Sequence, residues 1–171
     1  LMAAVAMPLP LPPMLPVLYN NLKRIVQTPD TVMILIEMNH DARIIRLNSE
    51  HAPDDVRKWF GDSIGWWEGD TLVVETTNFN ATPALESGSE NMHVIEKFSR
   101  VDEHTLMYRF MVTDPTRYGA PWGGEYPWPQ TDEKVYEYAC HEGNISMEGI
   151  LAGHRAEEAR AAEQAAAGGE E

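Results

Sequence analysis

The stretch GDSIGWWEGDTLVVETTNFN, residues 61–80, decides the fold. Two runs of strand-forming residues, 63–68 and 71–77, flank Gly69-Asp70, a dipeptide that supplies the positive φ a tight hairpin turn needs. With those two as loop residues, Glu68 stands opposite Thr71, Trp67 opposite Leu72 and Gly65 opposite Val74. Trp67, Leu72, Gly65 and Val74 then share one face.

Upstream, residues 22–27 and 31–38 flank the turn signal Thr28-Pro29-Asp30, and the second run is apolar on both faces, as in a strand covered on two sides. Residues 43–47 return after Asn39-His40-Asp41-Ala42. Taking His40 and Asp41 as the loop sets Met38 opposite Arg43 and Glu37 opposite Ile44, which leaves Glu37 diagonal to Arg46 as an expected ion pair. Residues 48–58 read as a loop with one helical turn, packed down by Trp59 and Phe60.

Downstream, residues 81–91 form a polar loop long enough for a lid or a binding edge. Residues 91–101 and 105–114 make a long hairpin. A two-residue turn at Glu103-His104 pairs Val101 with Leu106, Ser99 with Tyr108, Lys97 with Phe110, Ile95 with Val112 and His93 with Asp114, and places Glu96 and Arg109 together on the other face. The proline- and glycine-rich residues 115–130 are expected to hold only short extended pieces. Residues 133–141 read as a last strand, with Val135, Glu137, Ala139 and His141 on one face. Residues 154–167 have high helix propensity and no apolar stripe.

About eight or nine strands in successive hairpins, without strand–helix–strand alternation, predict an all-β fold: an antiparallel up-and-down barrel or curled sandwich whose interior lines a ligand cavity. Three segments follow: a Pro-rich N-terminal arm over 1–21, the barrel domain over 22–145, and a C-terminal Ala/Glu-rich helical tail over 146–171. The arm, with Pro8, Pro10, Pro12, Pro13 and Pro16, reads either as a leader remnant or as an extended structural arm. The first residue is Leu1 and not Met, which suggests a processed product.

The 171 residues are 43% hydrophobic and 23% charged, enough to bury one core. A net charge of −14 weighs against nucleic acid and anionic membrane surfaces, both of which need a basic face. Cys140 is the single cysteine, so there is neither an intrachain disulfide nor a thiolate zinc cluster. No apolar run is long enough to span a bilayer as a helix.

The segments IVQTPDTVMILIE, RIIRLN, GDSIGWWEGDTLVVETTNFN, HVIEKFSRVDEHTLMYRF, DPTRYGAPW and YEYACHEGN, in this order, resemble an uncharacterised, often exported family of bacterial proteins. Its members read G-(D/H)-S-x-G-x-WEGDTLVV-(D/E)-T-x-x-F and, later, Y-E-Y-x-C-x-E-x-N. The resemblance runs from Ile25 to Asn144 and implies a periplasmic or extracellular location. One departure is Trp66, where the family often carries Arg.

Candidate chemistry rests on a few side chains. His93 opposite Asp114 would be a general base with its orienting carboxylate. Glu37, Arg46, Glu96 and Arg109 are charges inside otherwise apolar strands, and with Trp67, Tyr108 and His141 they are the expected ligand-binding set. The histidines are scattered without metal-ligand spacing, so no metal and no cofactor is expected. The leading expectation is a small, largely apolar ligand in the barrel interior. The alternatives are an isomerase, lyase or hydrolase using His93 and Asp114, and an accessory subunit of an envelope complex contacting a protein partner through residues 1–16 and 154–171.

Overall fold

A computed structural model of the chain describes residues 22–81, 88–137 and 145–167. Eight strands form one curled sheet in sequence order: β1 (Lys23–Gln27), β2 (Thr31–Ile36), β3 (Ala42–Leu47), β4 (Asp62–Glu68), β5 (Thr71–Thr77), β6 (His93–Asp102), β7 (Thr105–Thr113) and β8 (Trp122–Pro129). Every neighbouring pair is antiparallel except β3 with β4, whose parallel ladder pairs only Ile45 with Ser63, Arg46 with Ile64 and Leu47 with Gly65. Residues 48–61 supply the crossover that a parallel pair needs. β1 and β8 share no ladder, so the sheet is a half-barrel.

Period-two alternation separates the faces. Val32, Ile34 and Ile36 of β2, Ile45 and Leu47 of β3, Leu72 and Val74 of β5, Val94 and Phe98 of β6, Tyr108, Phe110 and Val112 of β7 and Trp128 of β8 point inward and form the core. Tyr108 is its aromatic hub, with ring centroids of Trp128, Phe98, Tyr126 and Phe110 at 5.0, 5.1, 5.2 and 5.7 Å.

The β4–β5 hairpin has the register expected of it, with Gly69 at φ 60 in the turn. Two other hairpins correct the expected pairing. Between β2 and β3 the chain makes a 3-10 turn at Met38–His40, so Ile34 faces Arg43 and Thr31 faces Arg46; Glu37 is left beyond the ladder, far from Arg46 in register. Between β6 and β7 an irregularity at Arg100/Asp102 shifts the ladder by one residue, so Ser99 faces Met107, Glu96 faces Phe110 and His93 faces Thr113. That slip moves Tyr108 to the face of Glu96 and Phe98, and it separates His93 from Asp114.

The proline-rich segment was expected to hold only short pieces, yet β8 is eight residues long. Pro127 and Pro129 are two residues apart, so their donorless nitrogens lie on one edge of the strand, which is tolerated at a sheet margin. The two prolines leave that edge with fewer donors for a further strand. No strand forms over 133–137; instead the Tyr136 N–H donates to Glu37 Oε1 at 3.0 Å, tying the chain after β8 to the end of β2. His141 lies outside the described residues.

The last unit carries α1 (Ile145–Ala167), a helix of 23 residues. Its described side chains are exposed, in keeping with a composition that offers no apolar stripe. Among the described residues no helix is long and apolar enough to cross a membrane.

Candidate functional site

A cavity of about 720 Å³ opens at the end of the half-barrel where the β1–β2, β4–β5 and β6–β7 turns lie. Val32 and Ile34 from β2, Leu72 from β5, and Phe98 and Leu106 from the β6–β7 hairpin make its apolar wall. Trp67, at the far end of β4, stands in the mouth and is 44% exposed. Gln27, Asp70, Arg100 and Asp102 give the mouth its polar groups. The volume lies within the range of small-molecule sites.

One inward-facing row further from the turns sits a buried polar network. Arg43 of β3 is 4% exposed and Glu96 of β6 is 0% exposed. The guanidinium grips the carboxylate with two hydrogen bonds, Nη1 to Oε1 at 2.9 Å and Nη2 to Oε2. Arg43 also donates from Nε to Ser63 Oγ at 3.0 Å and from Nη2 to Thr76 Oγ1 at 2.7 Å, and the two hydroxyls are 2.9 Å apart. The Tyr108 hydroxyl donates to Glu96 Oε1 at 2.9 Å. Removal from water, then the neighbouring Glu96 charge, pushes the Tyr108 phenol well above its ordinary value, so it remains a donor. Lys23 at the start of β1 is fully buried, with Nζ 4.4 Å from the Trp128 ring centroid. Burial drives its ammonium down to about 7, against an upward pull from Glu96.

A second polar cluster lies on the outer face under residues 48–61. Asp62 is 1% exposed and accepts from Lys58 Nζ at 2.6 Å, Arg46 Nη2 at 2.6 Å and the Ala52 N–H at 3.0 Å, while His51 Nδ1 lies 3.2 Å away. Desolvation pushes its carboxyl up, but the bonds from Lys58, Ala52 and His51 and the Lys58 charge outweigh this and hold it at about 2. His51 Nε2 is 3.7 Å from Glu75, whose other oxygen is 2.7 Å from His93 Nε2. Among the described residues no three His, Cys, Asp or Glu side chains are set around a metal position.

The expected site residues are thus divided among several places. Trp67 lines the cavity, and Tyr108 and Glu96 belong to the network behind it. Arg109 is not the partner of Glu96; it points outward and binds Glu125 at 2.5 Å. Arg46 pairs with Asp62 and not with Glu37. Asp114 is buried but serves the loop before β6 and the turn after β7, accepting from the Ser89 N–H at 2.6 Å, Ser89 Oγ at 2.9 Å and the Thr116 N–H at 3.0 Å. Neither His93 nor Asp114 lines the cavity. The residues not anticipated are Arg43, Ser63, Thr76 and Lys23. Their signal was alternation: in ARIIRL, Arg43 shares parity with Ile45 and Leu47 and so belongs inside.

Comparison with known families, with curated proteins and with solved structures finds no match for this chain.

Proposed function

We propose that this chain binds a small, largely apolar molecule in the open end of the half-barrel. The observation that carries the reading is the 720 Å³ cavity, whose wall is apolar and whose polar groups are confined to the mouth. The Arg43–Glu96 network gives the wall a rigid backing, because each of its charged groups is held by at least two partners. The envelope location implied by the sequence resemblance is part of the same proposal.

The test is saturable binding of an apolar fluorophore, followed by fluorescence and by native mass spectrometry. The intact protein is expected to take up one molecule per chain. Leu72→Trp, which fills the wall, and Ile25→Trp, on the half-buried side of the cavity, are each expected to weaken uptake by about tenfold or more. Absence of saturable uptake by the unaltered, folded protein refutes the reading.

Acid–base catalysis remains a second reading with a changed partner. His93 is bonded to Glu75 on the outer face, so a substrate would have to be met there and not in the cavity. Turnover lost in His93→Ala but retained in Leu72→Trp is the result that would favour it.

A further inference from the structure

The mouth of the cavity differs from its wall in a way that specifies a ligand end. Trp67 belongs to the inward face of β4, yet the strand carries it beyond the core, and 44% of its surface is in water. Its ring packs against no other aromatic ring among the described residues, although most inward-facing aromatics of β6, β7 and β8 do. Beside it in the cavity lining is Asp70, in the β4–β5 turn. Asp70 makes no side-chain hydrogen bond to any described residue.

Across the mouth, Asp102 is kept in place by the turn, its Oδ1 accepting the His104 N–H at 2.8 Å. Arg100 is drawn the other way, with Nη1 donating to the Glu103 carbonyl at 2.8 Å. Two carboxylates therefore face one guanidinium around the opening, on a chain whose net charge is already −14. An electron-rich indole face beside carboxylates attracts a cation by two additive routes, the ring quadrupole and direct charge. A carboxylate head would meet repulsion from the same groups.

Resting on the cavity reading above, we propose that the ligand is a cationic amphiphile: an apolar body lies against Val32, Ile34, Leu72 and Phe98, and an amine or quaternary ammonium head remains at the mouth between Trp67 and Asp70. Such a molecule leaves its charge in contact with water, so binding does not require burying an unpaired ion.

The experiment uses the full chain and three probes of equal tail length, decyltrimethylammonium, decanol and decanoate, each below its micelle concentration. Tryptophan fluorescence and calorimetry measure their binding at low and high salt. The ammonium probe is expected to bind about tenfold more tightly than decanoate, with decanol between them, and raised salt should narrow the gap. Asp70→Asn, which retains a residue suited to the turn, and Trp67→Leu should each cut the ratio of ammonium to decanol affinity several-fold, and an unchanged ratio in both overturns the head-group inference. If decanoate binds as tightly as the ammonium probe, the head-group inference is overturned and the cavity reading stands. If none of the three binds saturably, the cavity reading falls with it.

Discussion

Glu96 is the side chain on which the interior's electrostatics turn. It sits at the middle of β6 with no exposure, satisfied by two bonds from Arg43 and one from Tyr108. Removing it leaves a buried guanidinium without a counter-charge, an arrangement that costs about 3–5 kcal/mol. Glu96→Ala should lose stability in that range by urea denaturation. The double replacement Arg43→Met with Glu96→Met should recover most of the loss, since neither charge is then stranded. A double variant no more stable than Glu96→Ala would show that the network's worth lies outside charge pairing. The sequence marked Glu96 as a charge in an apolar strand but matched it with Arg109, since a single-residue slip exchanges the two faces of β7. Asn78 shows the converse limit. Its φ of 54 and its Nδ2 bonds to the Ala52 and Pro53 carbonyls hold residues 48–61 against the sheet, a long-range role that no local pattern announces.

All the strands pair with their neighbours in sequence, and among those pairings the legible one was the hairpin whose turn residues set its geometry. The Gly69-Asp70 turn fixes both the length of the β4–β5 loop and its register, so that hairpin follows from local chemistry alone. The β6–β7 ladder depends on an irregularity at its turn, and the β2–β3 connection on a 3-10 turn; alternation patterns carry neither. β8 was hidden by its prolines, yet one residue fixes its approach to β7. A Cβ on Gly123 would lie 2.1 Å from the Phe110 carbonyl oxygen, a backbone atom of the paired strand. Gly123→Ala should therefore push β8 away from β7 and lower stability by at least about 2 kcal/mol. Gly69 offers a contrast, because nothing lies within 4 Å of a Cβ there and only its φ of 60 matters; Gly69→Asn should stay within about 1 kcal/mol of the parent. Urea midpoints of the two variants compare these costs directly.

In the molecule as a whole, the gap between the first and last strands is bridged by side chains, Lys23 of β1 against the Trp128 ring of β8. The unfolded chain keeps the Lys23 proton until near 10.5, whereas the folded chain releases it near 7. Between those values the unfolded state binds more protons, so stability rises with pH, on the order of 2 kcal/mol from pH 7 to pH 9. Lys23→Met should abolish that rise; denaturation curves collected across the interval check it, and an unchanged slope would mean another group titrates. The other join in the sheet is the short parallel ladder between β3 and β4, and both faces of it carry an arginine. Arg43 reaches inward across β4 and β5 to Glu96, and Arg46 reaches outward to Asp62. Were β3 to dock one residue out of step, Glu96 would lose its guanidinium partner inside, while outside Asp62 would lose Arg46 and keep Lys58. The two arginines thus act as a paired error check on assembly: a three-rung ladder too short to define its own alignment is held to one alignment because a neighbouring one strands the buried Glu96 carboxylate inside and strips Asp62 of one of its two cations outside.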